Sequence, residues 1–236
     1  MKSPAINNRR TSEVVLSIAF GLATVLFAAR TANTQQLQKG ISLQLAATST
    51  ASPMPDADNQ DAWIVSVTAD GTLYFGIDPM TPTELADKMT RTPRRRDQNF
   101  YVKADARAPF AAVQTVLTTA HEMGFAAPVL LTSQSESQSP GVMVSPKGLE
   151  VEIEPHSNAA SIVVQVNAGQ PSTLQVNDQV TPAAALPDAL KQLLKNRGET
   201  PVLVKTHGPV SFAPVAQVID TIHSLGAKVL ISTPEL

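Results

Sequence analysis

The chain contains no cysteine among its 236 residues, and aromatic residues make up only 4% of it. The lack of cysteine excludes a disulfide scaffold, a zinc–thiolate site and a thiol nucleophile. Charge is also sparse and nearly balanced, with 16% charged residues and a formal net charge of −2. Such a chain lacks the broad basic surface that nucleic-acid binding usually requires, so we expect no nucleic-acid partner. Its length allows one or two domains.

The sequence also lacks the short signatures that accompany catalysis. It has no G-x-S-x-G nucleophile elbow, no phosphate-binding glycine loop and no dinucleotide fingerprint. His121-Glu122 is not followed by the second histidine of a zinc-protease motif, and the other three histidines are scattered along the chain. We therefore predict that the protein is not an enzyme and has neither a cofactor nor a metal site.

One long apolar run is present, over residues 14–29. As a helix it rises about 24 Å, and the flanking residues extend it to a workable membrane span over 14–32. A signal peptide is the main alternative, but the available cleavage sites place Leu26, Phe27 or Arg30 at the −3 position, where a small residue is needed. The sequence therefore predicts an uncleaved transmembrane helix.

The cations on the short N-terminal side of this run predict its orientation. Lys2, Arg9 and Arg10 lie within residues 1–13, and positively charged flanks stay in the cytoplasm. We expect a cytoplasmic tail over residues 1–13 of a single-pass protein in a bacterial inner membrane. The rest of the chain would then lie in the periplasm.

The remainder of the chain repeats itself at a spacing of about 100 residues. Residues 102–125, VKADARAPFAAVQTVLTTAHEMGF, align with residues 204–227, VKTHGPVSFAPVAQVIDTIHSLGA, at a constant offset of 102. Upstream, residues 78–82 (DPMTP) align with residues 178–182 (DQVTP) at an offset of 100. This pattern predicts two tandem copies of one small module.

Each copy has the same predicted order of elements: two strands, a helix, a strand, an amphipathic helix and a closing strand. Asp70-Gly71 marks a hairpin turn, and Thr81-Pro82 with Glu84 predicts a capping box at the start of the first helix. Thr181-Pro182 repeats that helix start without the acidic partner. The predicted fold class is α/β (α+β), with each copy a mixed sheet carrying two helices on one face.

Composition predicts the remaining boundaries. Residues 46–61 are rich in Ser, Thr, Ala, Pro and Asp and contain too little apolar area to order themselves. We predict a strand segment and flexible linker over 33–62, a first module over 63–134, a linker over 135–146 and a second module over 147–234.

The first copy resembles a known family at several motifs. They are residues 64–82, IVSVTADGTLYFGIDPMTP, then Val102-Lys103-Ala104-Asp105, and the helix end HEMGF at 121–125. On these residues the chain is identified as a member of the ExbD/TolR biopolymer-transport family, with the second copy matching more weakly. The resemblance implies a subunit driven by proton-motive force that works with an ExbB/TolQ-like channel subunit. It also implies that force passes to a TonB/TolA-like periplasmic protein.

The resemblance further implies a proton-carrying carboxylate just ahead of the membrane helix. Ile6-Asn7 matches the start of the family motif, and Glu13 stands where its aspartate would fall, although the residues between them differ. A membrane helix disfavours the charged form of a carboxyl, so the pKa of that carboxyl rises. It can then load and release a proton within a working pH range. Glu13 is therefore a proton-carrier candidate. The alternative is an interfacial glutamate in the first helical turn, where the helix dipole favours negative charge.

Two sets of residues are candidates for binding a partner. Lys103 and Asp105 belong to the family-like motif of the first copy. Arg94, Arg95 and Arg96 form a basic cluster that suits an anionic partner, such as lipid head groups or cell-wall carboxylates. The alternative for this cluster is a solvated loop.

Exposed sheet edges invite pairing with a partner strand or with the other copy. Two tandem copies could pair within one chain as an intramolecular pseudo-dimer, and a homo-oligomer is the alternative. A second functional hypothesis is a membrane-tethered periplasmic binding or scaffold protein, derived from the same family without proton-carrying activity. Arg9 and Arg10 near Glu13 favour that hypothesis. A soluble secreted protein is the third.

Overall fold

The computed structural model describes residues 41–93, 98–133, 145–154, 162–197 and 200–232, all of which belong to one compact unit. The predicted cytoplasmic tail (1–13) and transmembrane helix (14–32) lie outside these ranges. None of the helices within them is long and apolar enough to cross a membrane.

The first sheet has seven strands and two helices. The strands are β1 (Ser52–Pro53), β2 (Trp63–Val67), β3 (Leu73–Phe75), β4 (Asp78–Met80), β5 (Phe100–Ala104), β6 (Val129–Thr132) and β7 (Lys147–Glu150). Their spatial order is β1-β7-β6-β5-β2-β3-β4, with β2, β5 and β6 parallel and the other pairs antiparallel. The helices are α1 (Pro82–Arg91) and α2 (Phe110–Glu122).

The second sheet has six strands and two helices. The strands are β8 (Glu152–Glu154), β9 (Ile162–Asn167), β10 (Thr173–Val176), β11 (Gln179–Thr181), β12 (Val202–His207) and β13 (Val229–Ser232). Their order is β11-β10-β9-β12-β13-β8. The helices are α3 (Leu186–Arg197), which follows a short 3₁₀ turn at Ala183–Ala185, and α4 (Phe212–Ser224).

The two sheets share one order of strands. In the first it runs β4-β3-β2-β5-β6, and in the second β11-β10-β9-β12-β13, with an antiparallel hairpin beside parallel central strands in both. The predicted α+β class, a mixed fold of sheets and helices, is confirmed. Its parallel pairs are joined through helices, as crossover connections require.

The helical periodicities of the sequence are confirmed in α2 and α4. The residues predicted to face the core are all buried: Val113, Val116, Leu117 and Ala120 in α2, and Val215, Val218, Ile219 and Ile222 in α4. This spacing places one apolar stripe of each helix against a sheet. These stripes belong to the main hydrophobic core, together with alternate residues of the central strands.

Alternation along the strands separates the two faces of the first sheet. Val102 of β5 belongs to the main core with Leu117 of α2. Its neighbour Tyr101 belongs to a second, smaller cluster that includes Ala57. Ala57 lies in a 3₁₀ helix at Pro55–Asp58. The first sheet is therefore covered on one face by helices and on the other by a segment that precedes β2.

The capping box predicted at the start of α1 is confirmed. The Glu84 N–H donates to the Thr81 hydroxyl at 3.3 Å, and the Thr81 N–H donates to the Glu84 carboxylate at 2.8 Å. The parallel prediction at Thr181-Pro182 is wrong, because α3 begins at Leu186. Without a glutamate to complete the box, the chain passes through a 3₁₀ turn before the helix starts.

Within the predicted strand segment and linker over 33–62, the prediction that residues 46–61 are flexible is wrong. Ser52–Pro53 forms β1 against β7, and Ala46, Ala51 and Ala57 are each no more than 6% exposed. The composition argument considered large apolar side chains, whereas this segment is held by main-chain hydrogen bonds and by buried alanines.

The predicted start of the second module at residue 147 also needs correction. β7 pairs with β6 of the first sheet, and β8 then pairs with β13 of the second. Val151 lies between them, is buried, and donates its N–H to the Pro128 carbonyl at 3.0 Å. One continuous segment therefore contributes a strand to both sheets. An alternating pattern predicts a strand but not the sheet that it joins.

Candidate interaction site

The predicted residues Lys103 and Asp105 lie where β5 ends, beneath residues 41–53, which we call the strap. Leu45 of the strap forms an antiparallel bridge with Asp105, and Ala47 forms a parallel bridge with Ser133 just beyond β6. The strap therefore crosses the ends of two neighbouring parallel strands. It brings chain from before the first sheet onto two residues that the sequence singles out.

Asp105 is a buried carboxylate with several donors around it. The Arg107 guanidinium binds it with two bonds, from Nε at 2.8 Å and from Nη2 at 3.0 Å. The Gln44 N–H of the strap donates to the same carboxylate at 3.1 Å. In return, the Gln44 carbonyl accepts the Ala106 N–H at 2.7 Å. Asp105 therefore joins β5, the following turn and the strap.

These donors determine the ionisation of Asp105. Hydrogen bonds from the Arg107 side chain hold the pKa of the Asp105 carboxyl well below its usual range, and the Arg107 and Gln44 N–H groups act in the same sense. Burial opposes this shift but is outweighed. Asp105 is thus a fixed negative charge, with only 4% of its side chain exposed. Its predicted role in binding a partner stays a prediction, and the contacts it makes here are internal.

Lys103 supports the strap from the same strand. Its Nζ donates to the Ile41 carbonyl at 3.2 Å, and the side chain is half-buried on the sheet face opposite the helices. Burial lowers the pKa of the Lys103 ammonium. Lys103 and Asp105 therefore form hydrogen bonds with the same segment, at Ile41 and at Gln44. Arg94, Arg95 and Arg96 lie outside the described residues, so their role stays a prediction.

The middle of the strap is bonded to the end of β6. The Ser133 N–H donates to the Ala46 carbonyl at 2.9 Å, and the Thr48 N–H donates to the Ser133 carbonyl at 2.8 Å. The hydroxyls of Thr48 and Thr132 are 2.7 Å apart, and both residues are buried. This is the bonding of a short added strand.

The strap then reaches Asp220 of α4, which no sequence motif indicates. The N–H groups of Ser49 and Thr50 each donate to the Asp220 carboxylate at 2.8 Å. Their hydroxyls donate to it as well, at 2.8 and 2.5 Å. Burial disfavours the charged form of Asp220, yet the hydrogen bonds from Thr50 and Ser49 outweigh it and lower the pKa of the carboxyl. The partners are 170 residues apart, which explains why local sequence reasoning misses them.

A separate contact joins the two sheets where α2 and α4 begin. Its two hydrogen bonds run from the Phe110 N–H to the Val210 carbonyl and from the Phe212 N–H to the Ala108 carbonyl, each at 2.8 Å. Pro109 and Ser211, between them, form an antiparallel bridge. Each partner is related to its counterpart by the sequence offset of 102. The bonding is therefore two-fold symmetric within one chain, as in an isologous interface.

The three histidines among the described residues are not gathered into a site. His223 Nε2 lies 2.7 Å from the Glu150 carbonyl, His207 is exposed, and the buried Nδ1 of His121 has no hydrogen-bond partner. Within the described ranges, no group of three or more His, Asp or Glu side chains could hold a metal ion. The polar contacts found instead tie parts of the chain to one another.

The fold consists of two mixed sheets with helices and of a strap that crosses the ends of β5 and β6. It is that of a small α+β protein in which distant segments are joined by strand-like hydrogen bonds. Residues 18–135, half of the chain, match the family described as biopolymer transport protein ExbD/TolR, and the chain belongs to that family. Comparisons with curated proteins and with solved structures find no match. The match confirms the assignment made from the motifs.

Family membership carries general properties. ExbD/TolR proteins are biopolymer-transport accessory proteins rather than enzymes, and they are typically associated with the inner membrane. They generally work with ExbB/TolQ and with TonB/TolA. The matched range begins inside the predicted membrane helix and ends one residue beyond the first predicted module.

Proposed function

We propose that this chain is an inner-membrane subunit of a biopolymer-transport complex driven by proton-motive force. In this proposal residues 14–32 anchor the chain, an ExbB/TolQ-like channel subunit surrounds the anchor, and the sheets transmit force to a TonB/TolA-like periplasmic protein. The observation that carries the proposal is the family match over residues 18–135, which includes most of the predicted anchor and every strand of the first sheet except β7.

Glu13 is the residue on which the proton role depends. It stands at the edge of the predicted anchor, where protonation can be coupled to movement of a helix in a channel complex. The test is purification of the full-length chain from its own membranes, as wild type and as Glu13→Gln. Glu122→Gln is the matched control, because Glu122 is exposed at the end of α2.

We expect a polytopic channel-type subunit to co-purify with all three forms. Only Glu13→Gln should lose proton-dependent activity, because glutamine has a similar shape but cannot carry a proton. Absence of any polytopic partner, or full activity of Glu13→Gln, would contradict the proposal.

The second candidate is a membrane-tethered binding or scaffold protein that has lost the proton path. Arg9 and Arg10 favour it, because two cations near Glu13 would keep that carboxylate charged and at the membrane surface. This candidate predicts that Glu13→Gln changes nothing, whereas binding of a periplasmic partner persists.

We further propose that the two sheets are two copies of one module, paired as an intramolecular pseudo-dimer. The symmetric bonds around Pro109 and Ser211 support this proposal. Because the chain has no cysteine, Pro109→Cys with Ser211→Cys introduces a single cross-linkable pair. The bridge should form within one chain, leaving its mass that of a monomer. Exclusive formation of covalent dimers would contradict the pseudo-dimer.

A further inference from the structure

The strap occupies a groove whose bonding groups belong to the body of the protein. These groups are the Lys103 ammonium, the Asp105 and Asp220 carboxylates, the Ala106 N–H, and the N–H and carbonyl of Ser133. Five of these six bind only the main chain of the strap, through N–H and carbonyl groups that any extended segment offers. The groove is therefore a site for an extended chain, and its own strap fills it.

The strap makes few contacts that only its own side chains could supply. Its buried residues are the small ones Ala46, Thr48 and Ala51. Ser49 and Thr50 are exposed, and their hydroxyls add bonds to the Asp220 carboxylate. The strap is held by hydrogen bonds, by the two-residue pairing of β1 with β7 and by three small buried side chains. Such a segment opens at a lower free-energy cost than the helices and central strands.

We propose that this groove is a docking site for an extended segment of a partner protein, which enters by displacing the strap. The occupant is uncharged and small: it carries alanine-sized residues where Ala46 and Ala51 lie, and consecutive Ser or Thr residues that face Asp220. The argument for this occupant is the strap itself, which shows the bonding that the groove accepts. The proposal rests on the proposed function in one respect, namely that this chain has a protein partner in the periplasm.

This arrangement reconciles the predicted and the observed roles of Lys103 and Asp105. The sequence indicates them as partner-binding residues, and in the structure they form hydrogen bonds with the main chain of the strap. If the strap holds the place of a partner segment, the same two side chains serve both states. Displacement would also free residues 41–53, so the path from the anchor to the sheets would lengthen.

The strap competes strongly because it is part of the same chain. A tethered segment has an effective concentration in the millimolar range, so a free segment at micromolar concentration gains little access to the wild-type groove. The apparent Kd of the free segment equals its intrinsic Kd divided by the fraction of molecules with an open groove. Weakening the strap without altering the groove should therefore tighten binding of a free segment.

The experiment uses a fluorescein-labelled peptide of residues 41–51, ISLQLAATSTA, and the full-length chain in detergent. The Ser49→Ala, Thr50→Ala double variant, which we call the loosened chain, lacks the two strap hydroxyls that bind Asp220. Fluorescence anisotropy should show that the peptide binds the loosened chain at least tenfold more tightly than it binds wild type. Adding Asp220→Asn to that chain should weaken binding at least tenfold, because the groove loses its charged acceptor. Asp188→Asn is the matched control, since Asp188 is an exposed residue of the neighbouring helix α3.

A second peptide keeps the test independent of protein folding. In it the two residues that correspond to Ser49 and Thr50 are alanine, and it should bind the loosened chain at least tenfold more weakly than the first peptide. Equal binding of the two peptides, or equal binding to wild-type and loosened chains, would overturn the proposal. Dimerisation of the loosened chain in place of peptide binding would also overturn it, because the occupant would then be the strap of a second copy. None of these readouts depends on co-purification of a channel subunit, so failure of the proton-driven function is separately visible.

Discussion

The ends of the central strands β5 and β12 differ in their polar residues, although the two sheets share one order of strands. In the first sheet, Lys103 and Asp105 bind the strap through its main chain. At the equivalent places in the second sheet, Lys205 is half-buried and His207 is exposed. Neither of these side chains holds a neighbouring segment within the residues that the structure describes. The two sheets share an apolar frame, whereas their polar contacts differ.

This difference separates what specifies the fold from what specifies its contacts. Apolar residues of α2 and α4 recur at an offset of 102 and are buried in both helices. An apolar stripe tolerates exchange among side chains of similar size, so it can persist while sequences diverge. A side-chain hydrogen bond such as that between Asp105 and Arg107 needs a donor and an acceptor at two fixed positions, and it is lost when either residue changes.

The largest effect is expected from the shared apolar frame. Leu117 of α2 and Ile219 of α4 are equivalent residues, and both are fully buried. Leu117→Ala and Ile219→Ala should each lower the free energy of unfolding by about 3 kcal/mol, because each removes buried methyl groups and leaves a cavity. Urea unfolding of the full-length chain, followed by the fluorescence of Trp63, the single tryptophan, measures both.

The same experiment tests whether the two sheets unfold together. Trp63 lies in the first sheet, whereas Ile219 packs in the second half of the fold. Because β7 and β8 form one segment shared by both sheets, Ile219→Ala should shift the Trp63 transition as much as Leu117→Ala does. A shift with Leu117→Ala alone would mean that the sheets are independent, and far-UV circular dichroism would then show two transitions.

The second-largest effect distinguishes the end of β5, where Asp105 lies, from the end of β12, where His207 lies. Asp105→Ala should lower the free energy of unfolding by about 2 kcal/mol, because the Gln44 N–H and the Arg107 guanidinium lose a charged acceptor. The value is below that for a fully buried ion pair because Arg107 is 68% exposed and is solvated when released. His207→Ala, the matched change in the second sheet, should stay within about 0.5 kcal/mol. Similar losses in both variants, measured in urea, would remove the distinction between the sheets.

A smaller effect is expected from acid, which protonates the two carboxyls without removing them. The folded-state pKa values of Asp105 and Asp220 lie below those of the unfolded chain. Their contribution to stability is therefore fully present above the unfolded pKa of about 3.9, and it is lost as pH falls through the folded values. Hydrogen exchange of the Gln44, Ser49 and Thr50 amides, corrected for intrinsic rates, should lose protection below about pH 4.

The control for this prediction is a strand amide that bonds to no carboxylate. The Val163 N–H donates to the Asn177 side chain at 3.0 Å, and asparagine does not titrate in this range. Its protection should persist to lower pH than that of the strap. Simultaneous loss at all four amides would show global acid unfolding, which would contradict selective release of the strap.

The sequence predicts the periodic parts of this fold and misses the contacts between distant segments. Burial of the α2 and α4 stripes, the capping box at Thr81 and the α+β class all follow from local spacing, which a helix or a turn converts directly into structure. β7 differs, because the sequence assigns it to the second module, whereas it pairs with β6 of the first sheet. That pairing depends on contacts between segments that are distant in the sequence. A single sequence carries no such information.

The candidate site divides in the same way. Lys103 and Asp105 are found from a motif, and Arg107, two residues on, could have been found as a local partner of Asp105. The contact of Asp220 with the strap could not, because Ser49 and Asp220 are 171 residues apart in the sequence. Composition alone favours disorder in the strap, and the groups that order it lie on distant parts of the chain.

The smallest difference concerns the starts of the first helices of each sheet. Thr81→Ala should lower the free energy of unfolding by about 1 kcal/mol, because α1 loses the hydroxyl that accepts the Glu84 N–H. Thr181→Ala should stay within about 0.5 kcal/mol, because the Thr181 hydroxyl donates to the Gln179 carbonyl rather than to a helix N–H, and α3 begins at Leu186. Glu84→Gln is the control for α1, since glutamine also completes a capping box. Equal losses for the two threonine variants, from urea midpoints, would mean that α3 is capped at Thr181 after all. The two sheets would then share more than an apolar frame.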